Sequence, residues 1–504
     1  MPVVPRLMVA LSAIVLLAGC GGGSAPPTSG AAQGPTSSGR TPERISFIIP
    51  TAASDGASRH RNTIPASTQS VVLTFSGPYG APLVPAVAAE TINTTTCTTV
   101  STGLQCTTTA NLPNGSVVGS VAAFAGANGT GALLALGTFS LDVTTGAAAS
   151  VTLTTASNYE LLGSGGGNGF SATLSIDHVA DTFTVNTTTS GSSPETLSGT
   201  IAPLANGDIK ATITNNGGGS DPIGDVLLLR ELPNGVVILE DSANALPPSP
   251  WDGSTASGGV GIGVANPDCA TASGVFPIDL VSISGSSFTA AGSDASQALI
   301  VGTATLTATT LVGTGTAYDI NGNSQGSTTS GTVTCSGNIY VPPAGSTNQP
   351  TLAFNNLGVI IGSNGNGGGG GSGQSVVGVM GFANPASVNV ATITSASYDG
   401  FVVNASSGST TTVQPFTAAP ISMGLQFCPY TDILNNVPAT GTNCVTVSIA
   451  SQPYPGVLYA TTSSGSVAVL SVAQISGKYA IFGVVDGSSS TTPGVAGNFV
   501  LFQH

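Results

Sequence analysis

Charge is what this 504-residue chain has least of: 6% of its residues are Asp, Glu, Lys or Arg, against roughly 25% in an ordinary soluble domain. The formal charge is −14, and beyond Arg61 the only basic side chains are Lys210, Arg230 and Lys478. Nucleic acid is thereby excluded as a partner, because phosphate binding needs clustered Lys and Arg. Aromatic residues make up 5%, with a single tryptophan, too few for a many-ring sugar platform or for the aromatic girdles of an outer-membrane barrel. No Cys-x-x-Cys occurs, and His60, His178 and His504 lie far apart, which argues against a zinc site. No metal or cofactor is expected. After residue 19 every apolar run is broken by Thr, Ser, Asn or Gly, so no stretch of about 20 apolar residues is left to form a membrane helix.

What is abundant is Gly, Ser, Thr, Ala and Val, a composition of strands and turns. The expected class is all-β: an N-terminal Ig-like sandwich, then one or two larger antiparallel β-barrel or sandwich domains. A Thr, Ser and Asn surface at this charge density leaves solubility to hydroxyl and amide groups, with little dependence on salt.

The N-terminus is an address. Arg6 precedes the apolar stretch Leu7 to Leu17, too short to span a bilayer, and Leu17-Ala18-Gly19-Cys20 follows. This resembles the lipobox of bacterial lipoproteins. The resemblance implies cleavage before Cys20, acyl chains such as palmitate on that residue, and membrane contact through the lipid. Gly21, where no Asp stands, implies outer-membrane sorting in a double-membraned host. Residues 20–42 hold no periodic apolar pattern and read as a tether with a mean span of about 25 Å.

Setting Cys20 aside leaves six cysteines, an even number suited to an oxidising compartment. Of the 15 possible connectivities, proximity selects Cys97 with Cys106, Cys269 with Cys335, and Cys428 with Cys444. Strand candidates in the first domain, residues 43–155, are Ile45–Ile49, Ser70–Phe75, Gly115–Val121, Thr138–Val143 and Ser150–Thr154. The run Ile64 to Val71, the Cys97 and Cys106 hairpin and Leu112-Pro113-Asn114-Gly115 together resemble the Ig-like module of bacterial secreted proteins, which implies a fold and no activity.

Two hairpins are expected beyond it, one joining Phe170–Ile176 to Thr182–Asn186, the other joining Val226–Arg230 to Gly235–Glu240 through an Asn-Gly step. Gly263-Val264-Ala265-Asn266-Pro267 is echoed by Gly381-Phe382-Ala383-Asn384-Pro385, which marks either two related β units or a coincidence in a Gly- and Ala-rich chain. The Gly-rich run 362–373 reads as a hairpin tip, and the Pro342 to Pro350 stretch as the boundary between domains 156–345 and 346–504.

Candidate chemistry is sparse. Gly322-Asn323-Ser324-Gln325-Gly326 has the spacing of a nucleophile elbow, but a strand-like stretch follows where a helix is needed. Asp177 and His178, adjacent in a turn, point apart. Asp221, Asp225, Glu240, Asp241 and Asp252 form the densest group of carboxylates and would suit Ca²⁺ if their loops converged, and Asp319-Ile320-Asn321-Gly322-Asn323 begins like a calcium loop without its closing Glu. Trp251, in a proline-stiffened loop, either stacks on a sugar or partner or anchors the loop to a domain end. The expectation is a lipid-anchored envelope protein with a structural, display or adhesive role and no catalysis. The alternatives are a glycan or small-ligand binder in a barrel mouth and, behind it, a hydrolase; a glycan or an envelope protein is the expected partner.

Overall fold

The computed structural model describes residues 40–49, 68–100, 103–130, 133–143, 149–150, 156–165, 168–178, 180–189, 195–204, 208–218, 223–232, 235–241, 260–265, 267, 269, 273–284, 299–307, 309–329, 332–336, 338–343, 351–363, 377–405, 411–422, 424–432, 437–438, 440–441, 444–463, 465–475, 478–485 and 497–503. The chain is all-β. No helix among the described residues is long and apolar enough to cross a membrane.

The first domain is a sandwich of two four-stranded sheets. Its strands are β1 (Arg40–Ile49), β2 (Ser70–Ser76), β3 (Glu90–Asn93), β4 (Thr98–Val100), β5 (Gly103–Pro113), β6 (Ser116–Phe124), β7 (Leu133–Asp142) and β8 (Ala149–Ser150). The sheets run β4-β5-β1-β8 and β3-β2-β6-β7. Period-two alternation explains the packing: Glu43, Ile45 and Phe47 of β1 are buried while Arg40, Pro42 and Arg44 are exposed. The core joins Ile45, Phe47, Leu73, Leu112, Val121 and Phe139. Strand β1 begins earlier than expected. Arg40 pairs with Pro113 and Pro42 with Asn111, so residues 40–42 belong to the sheet and not to a tether. Of the candidate strand 150–154 only Ser150 is described; the rest lies outside the described residues.

Three closed barrels follow, each an eight-stranded up-and-down ring. Barrel I comprises β9 (Ala156–Gly165), β10 (Asn168–Asp177), β11 (Thr182–Thr189), β12 (Glu195–Pro203), β13 (Ile209–Asn215), β14 (Val226–Glu231), β15 (Val236–Asp241) and β16 (Val260–Ala265). Both expected hairpins are there, as β10–β11 and β14–β15.

Barrel II comprises β17 (Gly274–Ser284), β18 (Leu299–Leu306), β19 (Thr310–Tyr318), β20 (Ser324–Thr329), β21 (Val333–Ser336), β22 (Ile339–Val341), β23 (Thr351–Phe354), β24 (Val359–Ser363) and β25 (Val377–Ala383). Barrel III, entered through the single-turn helix α1 (Val390–Ile393), comprises β26 (Tyr398–Ala405), β27 (Thr411–Ile421), β28 (Gly424–Asp432), β29 (Val437–Pro438), β30 (Val445–Tyr454), β31 (Val457–Thr462), β32 (Val467–Ile475), β33 (Lys478–Val485) and β34 (Gly497–Gln503). The pairings β18–β19 and β27–β28 close these two rings. Strands β20 and β29 are side excursions, each between the third and fourth ring strand.

The boundary expected near residues 342–350 is therefore corrected: it falls inside barrel II, where Tyr340 pairs with Leu352 across it. The Pro- and Gly-bearing stretch connects neighbouring strands instead of separating domains. Strands β24 and β25, on either side of the Gly-rich run, do pair; most of the run itself lies outside the described residues.

The sequence echo lands on equivalent strands, since 263–265 close barrel I and 381–383 close barrel II. The closing register repeats three times: Glu160 pairs with Val264, Asp279 with Phe382, and Asp399 with Phe502. In each case the residue before the acid (Tyr159, Ile278, Tyr398) fills its own barrel, so alternation turns the acid to the outside. The partners Val264, Phe382 and Phe502 belong to one apolar cluster in which the outer faces of all three barrels meet. There Phe382 stacks on Phe482 at 4.8 Å between ring centroids, worth about 0.5–1.5 kcal/mol beyond the area buried.

The sandwich docks on barrel II through the turn Pro78–Gly80. Tyr79 packs on Phe276 and Phe354, and its carbonyl accepts from Asn384 Nδ2 at 3.1 Å. Gly80 and Gly358, both at positive φ, face each other closely: a Cβ on Gly80 would lie 2.5 Å from the Leu357 carbonyl oxygen. Only glycine permits that approach.

Candidate functional site

Two buried polar constellations lie back to back on β14. Leu227 and Leu229 point into barrel I and Leu228 points out of it. Alternation then sends Glu231 inward and Arg230 outward.

On the inner side, the Nε2 of His178, in the β10–β11 turn, contacts Glu231 Oε2, and the Tyr159 hydroxyl donates to Glu231 Oε1 at 2.6 Å. The side chains of His178 and Glu231 are 7% and 1% exposed. Burial opposes the imidazolium, but the charge and hydrogen bond of Glu231, aided by Asp177 and Asp181, outweigh it and raise the His178 pKa above its usual 6.5. Among the described residues no Ser, Thr or Cys hydrogen-bonds His178, so the group has the base and orienting acid of a triad without a nucleophile on it. Chemically it is a charge-holding plug at the end of barrel I.

A folded pKa above the unfolded value contributes stability that is complete below the unfolded pKa and is lost as pH rises through the folded one. His178→Gln is therefore expected to cost stability at pH 6 and progressively less at higher pH. NMR titration of the imidazole should give a midpoint above that of a free histidine; a midpoint at or below it, or a pH-independent cost, would contradict the ion pair.

On the outer side, Arg230 meets Asp208 in a two-pronged pair, through Nε and through Nη2 at 2.7 Å. Its Nη2 also lies 3.8 Å from Asp399 Oδ2 of barrel III, and Tyr430 donates to Asp399 Oδ1 at 2.7 Å. All four residues are buried. Burial disfavours the guanidinium, yet Asp208 and Asp399 more than compensate and leave it more firmly protonated than a free arginine. Burial first, then Asp399, raises the Tyr430 hydroxyl pKa. This network joins barrels I and III across their seam.

At the register-equivalent position of barrel II, Asp279 is completely buried. It faces Ser471 of barrel III and the β30–β31 turn, where a Cβ on Gly456 would come within 3.0 Å of its Oδ2. Burial pushes its pKa well above 3.8, and among the described residues neither of its carboxylate oxygens nor the Ser471 hydroxyl meets a hydrogen-bond partner. Glu160, half-buried on barrel I, is also raised by burial.

All three expected disulfides are formed: Cys97–Cys106, Cys269–Cys335 and Cys428–Cys444. They mark an oxidising, extracytoplasmic environment. Ser324 opens strand β20, so the nucleophile-elbow spacing has a strand after it. Asp319 Oδ1 accepts from the backbone of Asn321 and Asn323 at 2.9 and 2.8 Å, and Oδ2 from the Asn323 amide at 2.9 Å; the carboxylate organises its own loop. Asp225 accepts from Val226 N at 2.9 Å. Asp241 pairs with Leu227 and Glu240 with Leu228 along the backbone. Cys20, Asp221, Trp251 and Asp252 lie outside the described residues. Among the described residues no three His, Cys, Asp or Glu gather as a metal site.

Sequence reading separated Asp177 from His178 but missed Glu231 and the Arg230 network. The available signal was rarity: in a chain with so few charges, an acid or arginine inside an apolar run such as Val226–Glu231 must find a partner on folding. No protein-family model, curated protein or solved structure matches this chain.

Proposed function

We propose that this chain is a lipid-anchored protein of the bacterial cell envelope, held by acyl chains on Cys20, whose barrels serve a structural or display role without catalysis. The observation that carries this reading is that the barrels are solid. Leu161, Leu174, Phe183, Ile213, Leu229 and Leu239 occupy the interior of barrel I as one buried cluster, and barrels II and III are filled likewise. Eight strands leave room for side chains or for one small ligand, and here side chains take it. That supports a structural body over a ligand lumen. The alternation is also inverse to that of a membrane barrel: Phe183 and Val185 face in while Thr184 and Asn186 face out. Disulfides, the shared inter-barrel core and buried ion pairs all favour rigidity, which suits a component that presents a surface outside the cell. Gly21, where no Asp stands, supports outer-membrane residence in a double-membraned host.

The test is detergent phase partition of the expressed protein. Wild type is expected in the detergent phase, with mass spectrometry showing a diacylated or triacylated Cys20 as the first residue; Cys20→Ser is expected in the aqueous phase. An aqueous wild type, or one cleaved elsewhere, would overturn the anchor.

A further inference from the structure

We propose a second membrane contact: the sandwich loop Pro82–Ala89, with Arg40 bonded to it and Arg44 on the same face of β1, inserts at the headgroup level of an anionic lipid bilayer. The inference rests on the lipid-anchored reading for its biological setting, but its physical basis is separate.

Pro82-Leu83-Val84-Pro85-Ala86-Val87-Ala88-Ala89 is eight apolar residues in a row. Leu83 is buried and holds the loop to the sandwich core, whereas Pro82, Val84, Pro85, Ala86, Ala88 and Ala89 are exposed and Val87 is half-buried. Val84 is 59% exposed. A run of this kind on a water-facing surface is costly unless something apolar covers it.

Charge supplies the second observation. Of the eight Lys and Arg in the chain, four lie at positions 40, 44, 59 and 61. The two within the described residues, Arg40 and Arg44, are exposed on the same face of β1. Arg40 Nη2 donates to the Ala86 carbonyl at 3.1 Å, which puts a cation directly on the apolar loop. Glu43, between the two arginines, points into the sandwich and is buried; Glu90 follows the loop, half-buried. In a chain of net charge −14 this is the end an anionic surface attracts.

The third observation is the path of the chain. Arg40 is where the segment from Cys20 joins the sandwich. Twenty residues separate Cys20 from Arg40, so even a fully extended chain keeps this end within about 70 Å of an acylated Cys20. An apolar tip for the acyl boundary and arginines for the phosphates are the two parts of an interfacial anchor. The second contact would fix the orientation of the barrels, which a lipid tether alone leaves free.

The test uses residues 21–504, without leader or lipid, which retain every described strand. Flotation is measured with vesicles of phosphatidylcholine alone and with 30% phosphatidylglycerol. The protein is expected to float with the anionic vesicles only, Arg40→Gln to weaken partition about fivefold, and Val84→Asp to abolish it. Ile223→Asp, at an equally exposed site on barrel I, is expected to float like wild type, with unchanged melting for all variants. No flotation with either vesicle, or equal loss in Val84→Asp and Ile223→Asp, overturns the inference. The acylated full-length protein is partitioned separately, so failure of the loop and failure of the lipid anchor give different results.

Discussion

Arg230→Met is expected to lower the free energy of unfolding by about 3–5 kcal/mol, read as a shift of the urea midpoint near pH 7. The methionine itself packs acceptably; the damage comes from what it leaves. Asp208 and Asp399 are buried on opposite sides of the barrel I–III seam, and without the guanidinium two carboxylates stay in a low-dielectric site with no counter-charge. The same reasoning predicts rescue. Converting both acids to asparagine in the Arg230→Met background is expected to return most of the loss, because removing a buried ionic group entirely is often near neutral. A loss below about 1 kcal/mol, or a triple variant no better than the single one, would show that the seam does not depend on this network.

Asp279→Asn is expected to stabilise the protein at neutral pH and to flatten its pH profile. The folded pKa of Asp279 is raised, so its contribution is complete below the unfolded value and declines as pH rises toward the folded one. Across that window the wild type should lose up to about 1.4 kcal/mol per pH unit relative to the variant. Asparagine keeps the shape but cannot ionise. Urea denaturation of both proteins from pH 4 to 8 decides the matter; a difference that stays constant with pH would mean that Asp279 is charged when folded.

These two sites show what was legible in the chain and what was not. Strands announced themselves by alternation, as in Glu43 to Phe47, and hairpins by turn chemistry, as in the Asn-Gly step before β15. The local disulfides followed from spacing. Barrel closure did not, because the decisive pairs, Glu160 with Val264 and Asp399 with Phe502, join residues a whole barrel apart, and nothing local encodes a partner at that distance. The stretch 342–350 misled for a related reason: Pro, Gly and Ser serve a hairpin connection as well as a linker. Arg230 and Asp399 are further apart still, and adjacent only because barrel III folds back on barrel I. What did carry long-range information was the faint echo at residues 263–267 and 381–385, whose equivalence became plain once both ended a barrel.

The first strand of the sandwich also decides how the molecule bears a pull. Tension applied at Arg40 enters β1 at its start, while the chain leaves for barrel I just beyond β8, which lies parallel to β1 with Ile45 opposite Ala149 and Ser46 opposite Ser150. Pulling one parallel strand from its beginning and the other from its end slides them lengthwise, so their hydrogen bonds are strained together rather than opened one after another. An antiparallel pair of neighbours, such as β9 and β16 in barrel I, would unzip under the same force. Force between the start of the sandwich and the barrels would therefore pass through the arrangement that yields last.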